Sequence, residues 1–340
     1  METVNNRQRK RLTEDMSRLF GRMVVAMMPI MPRFVVRWIS RRYVAGVDME
    51  SALRVMRKLE SQNACFTIDV LGEEITSIEE ADYFIEEYER LLKMIVKEKL
   101  DANISIKPTA FGLLIDRDKG LANIEKLLRE AAKHEIFVRL DMEDHRVTDD
   151  TIEVCLAMHE KGLENIGVVL QARLFRTNAD IENICSILGP GADFRICKGI
   201  YLEPSEIAHT QYKEIVDASN EAIDKMLDGS SYVAIASHDL PVIDHALAAL
   251  EERKMGPGVD DPRPAAPPPR KGKGEGYEFQ MLLGVRGDVR RRLASQGHRT
   301  RVYIPYGEQW YEYSMRRLRE NPTVAWHVTK AMLMPWTNKR

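Results

Sequence analysis

The chain has 340 residues, of which 44% are apolar and 30% are charged, so it can bury a sizeable core in one large domain or two ordinary ones. Its formal net charge of −2 gives no reason to expect a nucleic-acid partner. The cysteines show no CxxC spacing and lie in apolar runs: Cys65, Cys155, Cys185 and Cys197. This pattern predicts reduced core cysteines and argues against disulfides or a zinc site.

Residues 1–50 differ in composition from the rest of the chain. Residues 16–47 contain no acidic side chain, and their apolar run 23–31 is too short to span a bilayer. Arginines recur in the same stretch: Arg18, Arg22, Arg33, Arg37, Arg41 and Arg42. Basic residues interleaved with Met, Phe, Val and Trp38 predict a basic amphipathic helical segment that lies on a membrane surface. A helix packed across the end of the main domain is the alternative, and a cleaved signal peptide is disfavoured.

From residue 51 onward, short β-rich runs alternate with helix-period segments. The β-runs are residues 65–70, 104–107, 136–141, 166–171, 194–198, 232–236, 277–282 and 301–304. Helical periodicity covers residues 78–97, 121–133, 151–161, 181–188, 205–227 and 242–253. This alternation predicts an α/β fold, a (β/α)8 TIM barrel over residues 51–340 with an N-terminal helical extension. A doubly wound open sheet is the alternative, although no GxGxxG follows the first β-run.

Residues 255–276 interrupt this alternation. They are rich in Pro and Gly and contain almost no large apolar side chain, which predicts a flexible loop. Because the segment follows a helix and precedes a strand, we expect it at the N-terminal face of the barrel, away from the chemistry.

Polar residues stand at the C-terminal end of most predicted β-runs. In chain order they are Asp69, Glu73, Lys107, Asp141, Glu143, Gln171, Arg195, Lys198, Ser237, His238, Asp239, Gln280 and Tyr303. Because these ends form the active site of a barrel, the set predicts a large polar ligand site. Its cations favour an anionic ligand, such as a pyrophosphate-bearing cofactor with a carboxylate substrate, over a metal ion. A Schiff base on Lys107 or Lys198 remains an open alternative.

The run 301–320 predicts a strand, a turn, and a helix that begins at about Glu308. One face of that helix carries Tyr313, Arg316, Arg317 and Glu320. Two guanidinium groups beside a phenol suit a small carboxylate, because the arginines donate to it bidentately while the ring covers its apolar part. A solvated arginine face on a surface helix is the alternative.

The same run closely resembles the C-terminal signature of proline dehydrogenases, flavin enzymes that also form one domain of the bifunctional proline utilization A proteins. Further blocks match in the same order: residues 69–73, 105–109, 140–143, 169–172, 195–201, 236–239 and 278–282. The resemblance implies a distorted (β/α)8 barrel that binds FAD non-covalently and oxidises L-proline to 1-pyrroline-5-carboxylate, the first step of proline catabolism to glutamate. It also implies hydride transfer from proline C5 to flavin N5, with electrons passed on to a quinone.

Carried over by position, the resemblance assigns substrate contacts to Lys107, Leu282, Tyr303, Tyr313, Arg316, Arg317 and Glu73. The arginine pair, completed by the lysine, would hold the proline carboxylate, and the tyrosines and the leucine would cover the ring. Glu73 would pair with the first arginine and close the pocket. Catalytic roles fall to Asp141, Arg195, Lys107 and Tyr303. Asp141 would organise an acid–base network, and Arg195 would stabilise negative charge on the flavin.

The blocks that contact FAD in the family hold Met142, Gln171, Arg195, Lys198, Gly199, Ile200, Tyr201, Ser237 and His238 here. No metal is implied. Family members commonly have Ala, Tyr and Thr where this chain has Ile200, Arg173 and Ser237. Ile200 narrows the space near the flavin, Arg173 adds a charge without an assigned role, and Ser237 keeps the hydroxyl. Tyr303 favours proline over hydroxyproline, because relatives that use hydroxyproline have a smaller residue there.

The resemblance implies L-proline as substrate, a membrane quinone as acceptor and a pyrroline-5-carboxylate dehydrogenase as downstream partner. The basic N-terminal segment would attach the enzyme peripherally to a membrane surface. Reduced cysteines and the lack of a convincing signal favour a cytoplasmic protein on the inner face of the membrane, with a mitochondrial matrix address as the alternative. A non-catalytic, membrane-docking or sensory flavoprotein is a further functional alternative.

Overall fold

A computed structural model describes residues 33–72 and 75–320, and the strands of this part form a closed parallel barrel. The strands are β1 (Cys65–Val70), β2 (Ala102–Ile106), β3 (Val138–Leu140), β4 (Ile166–Gln171), β5 (Asp193–Cys197), β6 (Tyr232–Ala236), β7 (Tyr277–Leu282) and β8 (Thr300–Tyr306). Among the described residues the α-helices are α1 (Arg33–Ser40), α2 (Met49–Glu60), α3 (Ala81–Glu98), α4 (Arg117–Ala132), α5 (Thr148–Glu160), α6 (Thr177–Leu188), α7 (Tyr212–Asp228), α8 (Leu240–Glu252), α9 (Gly287–Ser295) and α10 (Trp310–Glu320). The predicted (β/α)8 barrel is confirmed.

Closure of the barrel depends on the pairing of β8 with β1, in a register that runs from Cys65↔Arg301 to Val70↔Tyr306. Since every strand then has two neighbours, the sheet has no free edge and the open doubly wound alternative is excluded.

Strand β2 illustrates how the sequence builds this sheet. Ile104 and Ile106 are fully buried, and they alternate with Ser105, whose hydroxyl donates to Asp141 at 2.6 Å. Side chains that alternate in this way point to opposite faces of a strand. One face of β2 therefore contributes to the apolar core, while Ser105 contributes to a polar interior.

The N-terminal extension is attached to the C-terminal end of β8. The Ala45 amide donates to the Pro305 carbonyl at 2.8 Å. Gly284, at φ +72°, approaches Arg42 so closely that a Cβ atom there would lie 1.9 Å from the Arg42 carbonyl oxygen, and only glycine fits. The extension thus lies at the end of β8 where barrel active sites form. Residues 1–32 of the predicted N-terminal segment lie outside the described residues.

The helix predicted at 205–227 begins later, because α7 begins at Tyr212. The preceding residues bond instead to the loop after β4: the Phe175 amide donates to Ile207 and the His209 amide donates to Arg173. Gln211 and Glu214 then form a reciprocal capping box that starts the helix.

The proline-rich segment, residues 255–276, lies between α8 and β7 at the N-terminal end of the barrel. Arg270 and Lys273 contact the Asp193 carboxylate at 3.1 and 2.9 Å. Nζ of Lys273 also lies 3.8 Å from the centroid of the Phe137 ring and 4.2 Å from that of Tyr232. Composition alone predicts a flexible loop here. These buried contacts instead attach its second half to the N-terminal end of the barrel, which is called the barrel floor below.

Within the described residues the barrel floor buries the charged side chains of Arg139, Lys273, Arg301, Asp193 and Glu278. Arg270 and Arg299 lie beside them and are partly exposed. Burial alone would raise the pKa of Glu278, but Arg301, which donates to it at 2.6 Å, holds that pKa well below its usual range. Burial lowers the pKa of Lys273 to about 7, since Asp193 offsets only part of the effect and Arg139 adds to it.

Lys273→Met should change how stability depends on pH. Above pH 7 the folded protein keeps Lys273 mostly neutral, whereas an unfolded lysine, with a pKa of about 10.4, stays protonated. The unfolded state then binds one more proton, so this residue makes the free energy of unfolding rise with pH by up to about 1.4 kcal/mol per unit. Below pH 7 both states are protonated and the contribution to the slope ends. Urea denaturation at several pH values between about 6 and 9 should show a shallower rise for the variant.

Lys271→Met provides the matched control, because Lys271 lies on the same segment but is exposed and pairs with Glu135. Identical pH slopes for the parent and Lys273→Met would contradict a neutral buried lysine.

Candidate active site

Parallel strands bring the predicted polar residues to one face of the barrel. Asp69 lies near the end of β1, and Lys107 and Asp141 directly follow β2 and β3. Arg195 on β5 and Tyr303 on β8 are inward-facing neighbours of this group, since both contact Asp141. Residues far apart in the sequence therefore form one connected cluster.

The Asp141 carboxylate is the centre of this cluster. Its Oδ1 accepts from the Ser105 hydroxyl and from Nη1 of Arg195, both at 2.6 Å, and its Oδ2 accepts from the Tyr303 hydroxyl at 2.6 Å. Burial, followed by the charge of Asp141, raises the pKa of Tyr303 well above its usual range. Tyr303 therefore stays protonated and acts as a donor.

Two of the three nitrogens of the Arg195 guanidinium donate hydrogen bonds within the protein, and the third has no partner among the described residues. Nε donates to Gln280 Oε1 at 2.6 Å, and Nη1 donates to Asp141. The group lies 5.4 Å from the centroid of the Tyr303 ring, and the residue is only 5% exposed. Nη2 is buried and has no hydrogen-bond partner within residues 33–72 and 75–320. Because a buried N–H group requires an acceptor, Nη2 marks a position for a ligand.

Lys107 forms a buried ion pair with Asp69, at 2.9 and 3.1 Å to its two oxygens. Burial alone would lower the pKa of Lys107, but the charges of Asp69 and Asp141 outweigh it and raise the pKa well above its ordinary value. Two of the three ammonium protons are directed to Asp69, so one remains for a ligand. A permanently protonated amine is a poor nucleophile, which argues against a Schiff base at this lysine.

Gln171, the last residue of β4, is bonded to the loop that follows β3. The Gln171 amide donates to the Glu143 carbonyl at 2.7 Å, and the Glu143 carboxylate accepts from the Thr109 hydroxyl at 2.9 and 2.8 Å. Met142, which precedes Glu143 in the same loop, is 8% exposed.

The loop that follows β5 carries Lys198, Gly199, Ile200 and Tyr201. Gly199 has φ +90°, and a Cβ atom there would lie 2.7 Å from Cδ of Arg173 and 2.8 Å from Oε1 of Gln171. Glycine is required at this close approach. Lys198 forms an ion pair with Asp239 and lies 4.7 Å from the centroid of the Tyr212 ring.

His238 is oriented by a backbone contact, because its Nε2 accepts from the Leu282 amide at 3.0 Å. An accepting Nε2 places the ring proton of a neutral imidazole on Nδ1. The Ser237 hydroxyl accepts from the Asp239 amide at 3.2 Å, which orders the same turn after β6. Leu282, at the end of β7, is therefore hydrogen-bonded to His238 in this turn.

The predicted C-terminal helix is present as α10, although it begins at Trp310 and not at about Glu308. Tyr313 is 6% exposed and lies close enough to Tyr303 to contribute to the raised pKa of that residue. Arg316 and Arg317 occupy the next turn of α10, but their side chains lie outside the described part of the structure, as does Glu73. Their contacts stay a prediction.

Sequence reasoning left Asp69 and Gln280 without a role and did not single out Ser105. The period-two alternation of β2 and β7 marks Ser105 and Gln280 as inward-facing, and this signal was available. Nothing in the sequence indicates that Asp69 pairs with Lys107 or that Asp239 pairs with Lys198.

Within the described residues no helix is long and apolar enough to cross a membrane. The same residues contain no group of three or more His, Cys, Asp or Glu side chains that could hold a metal ion.

Comparison with known proteins agrees with this arrangement. A family model described as proline dehydrogenase matches residues 52–330. Proline dehydrogenase 2 of Bacillus subtilis (strain 168) is 34% identical over 290 residues, which cover 84% of this chain and 89% of the relative. The proline dehydrogenase of Deinococcus radiodurans is 31% identical over 299 residues, or 87% of this chain and 90% of the relative.

A solved structure shows the same fold. The crystal structure of proline utilization A from Bdellovibrio bacteriovorus, inactivated by N-propargylglycine, superposes with a TM-score of 0.73 at 22% identity. The match covers 84% of this chain and 33% of that one, so this chain corresponds to about a third of the larger protein.

Borohydride reduction in the presence of small carbonyl compounds should leave Lys107 unmodified. At neutral pH, less than about one part in a thousand of an amine with a pKa above 10 is free to attack a carbonyl. Peptide mass spectrometry checks the result, with Lys107→Arg as the control that locates any adduct. A reduced adduct on the Lys107 peptide that disappears in the variant would restore the Schiff-base alternative.

Proposed function

Because the chain belongs to the proline dehydrogenase family, we propose that it oxidises L-proline to 1-pyrroline-5-carboxylate with a non-covalently bound FAD and a quinone as electron acceptor. This reaction is the first step of proline catabolism. A pyrroline-5-carboxylate dehydrogenase would consume the product, in keeping with relatives named as bifunctional PutA proteins.

The observation that carries the proposal is Nη2 of Arg195, which has no hydrogen-bond partner among the described residues. It is a buried donor on a guanidinium fixed by Asp141 and Gln280, and such a group stabilises negative charge that develops on a ligand. Gly199 lies against the side chains of Arg173 and Gln171, and both Gly199 and Gln171 stand in blocks that contact FAD in the family. These features fit a flavin. When bound, FAD supplies the two-electron acceptor for a hydride from the substrate.

The substrate residues would bind and orient proline. Arg316 and Arg317 on α10 would hold its carboxylate, with the remaining N–H of Lys107 directed to the same group. Tyr303 and Tyr313 would cover the ring, with Leu282 on its apolar side and Glu73 paired with the first arginine. Fixing the carboxylate fixes the direction of the ring, and orientation of this kind supplies much of the rate of such reactions.

Asp141 and Tyr303 would fix where protons are held in the pocket. The Tyr303 proton is directed to Oδ2 of Asp141 at 2.6 Å, so this hydroxyl can accept from the substrate amine without losing its own proton. The ring of Tyr303 would also limit the space for a substituent on the substrate ring, which would favour proline over hydroxyproline.

Helix α1 supports the proposed attachment to a membrane that contains quinone. Phe34 and Trp38, one turn apart, are 74% and 50% exposed, and the exposed Arg33, Arg37 and Arg41 accompany them. Aromatic side chains among arginines suit the surface of an anionic membrane, while the fully buried Val36 packs the helix onto the protein. We therefore propose a cytoplasmic enzyme that docks on the inner face of the membrane.

The purified protein should be yellow, and L-proline should bleach its flavin absorbance under anaerobic conditions. Arg316→Met and Arg317→Met should each raise KM for proline by about tenfold to a hundredfold, because a charged hydrogen bond is worth about 1.5–3 kcal/mol. Flavin content should not change. Arg291→Met, which removes an exposed arginine from α9, is the matched control. A colourless protein that proline does not affect and that binds added FAD only weakly would contradict the proposal.

Flotation with liposomes tests docking. The parent should float with anionic vesicles and not with neutral ones, and the double variant Phe34→Ser/Trp38→Ser should lose most of this binding, because both apolar anchors are removed. Ile187→Ser, at a side chain that is 55% exposed on α6, is the control for loss of surface apolarity. Equal flotation of parent and double variant would show that α1 is not the docking surface.

A further inference from the structure

Arg173 has no role in the arrangement described so far. It lies two residues beyond the end of β4, where its amide donates to the Lys198 carbonyl at 3.0 Å and its carbonyl accepts from the His209 amide at 2.8 Å. These bonds fix its backbone between the loops that follow β4 and β5. The Cα atom of Arg173 is therefore held in place by backbone hydrogen bonds to both loops.

The side chain of Arg173 extends across the loop that follows β5. Its Cγ and Cδ atoms cover Gly199, where an added Cβ would lie 2.9 and 2.7 Å from them. Its Nη1 donates to the carbonyl oxygen of Tyr201. The guanidinium is thus placed among Gln171, Gly199 and Tyr201, all of which are expected to contact FAD.

Among the described residues Arg173 has no carboxylate partner, unlike Lys107, which is paired with Asp69. Lys198 is paired with Asp239, and Arg195 is paired with Asp141. No carboxylate in the described part of the chain lies within ion-pair distance of Arg173, whose guanidinium contacts a neutral carbonyl only. Its Nε is also buried without a hydrogen-bond partner among these residues. A buried donor on an unpaired cation is costly unless a ligand supplies the acceptor, and an anion fits best.

We propose that Arg173 binds the diphosphate of the dinucleotide cofactor; this rests on the proposed function, because it presupposes that FAD binds. The substrate carboxylate does not fit this position, because it would be held from α10 after β8, and β4 lies opposite β8 in the closed order of strands. Lys198 alone would be insufficient, since Asp239 already neutralises it. A guanidinium binds phosphate oxygens bidentately, which an aromatic residue at this position would not do.

FAD affinity of the full chain tests this assignment. Bound flavin is removed, and FAD is titrated back while the quenching of its fluorescence is followed. Arg173→Met should raise the Kd for FAD at least about tenfold, and Arg173→Lys should raise it less, because the charge remains while the bidentate geometry is lost. Arg176→Met is the matched control: Arg176 lies on the same loop but is exposed and paired with Asp149 and Asp180.

A second measurement shows which part of FAD is contacted. At saturating FAD, the ³¹P resonances of the bound diphosphate should shift between the parent and Arg173→Met, and they should coincide for the parent and Arg176→Met. Arg173→Gln replaces Arg173→Met if the latter does not fold, since it keeps a donor for the Tyr201 carbonyl. Circular dichroism establishes folding in each case.

The outcomes separate this inference from the proposed function. An unchanged Kd in Arg173→Met, with a parent that binds FAD and is reduced by proline, would overturn the role of Arg173 alone. A raised Kd without any ³¹P shift would also overturn it, because the contact would then be to another part of the cofactor. A parent that does not bind FAD would overturn both.

Discussion

Asp141 carries its carboxylate into the barrel, where Ser105, Arg195 and Tyr303 donate to it from three other strands. A carboxylate buried without donors is strongly disfavoured, and removing it would leave the Arg195 guanidinium buried and unpaired. The orientation of that guanidinium is therefore coupled to the packing of β2, β3, β5 and β8. Because Asp141 and Gln280 occupy Nη1 and Nε, only Nη2 of Arg195 remains for a ligand.

A continuous chain of polar contacts connects this cluster with the barrel floor. Gln280, which accepts from Arg195, donates to Glu278, and Glu278 accepts in turn from Arg301. Arg301 then donates to the carbonyl of Gly272 in the proline-rich segment. A segment at the face opposite the chemistry thus contributes to the orientation of Arg195, through groups that would be costly to leave unpaired. Hydrogen bonds and ion pairs thus join the barrel floor to the cluster around Asp141.

Much of this protein follows from simple patterns in the chain. Alternating strands and helices predicted the barrel, because parallel strands require crossover helices and eight such units close the sheet. The same pattern predicted that Asp69, Lys107, Asp141 and Arg195 would meet at one face. It did not predict which cation pairs with which carboxylate, since Lys107 could be directed to Asp69 or to Asp141 in any sequence-based account. The proline-rich segment shows the same limit, because its composition conceals the buried contacts of Arg270 and Lys273 with Asp193.

The sequence by itself determined the class of fold, the face on which the polar residues gather, and the family, because these depend on periodicity and on motifs that each occupy a short stretch. Only the tertiary structure decided which charges are neutralised and which remain available. Lys198 is neutralised by Asp239, whereas Arg173 has no carboxylate among the described residues and Arg195 keeps an unpaired Nη2. Compensation of buried charge depends on distances of a few ångströms between side chains from different strands, and spacing along the chain does not encode these distances.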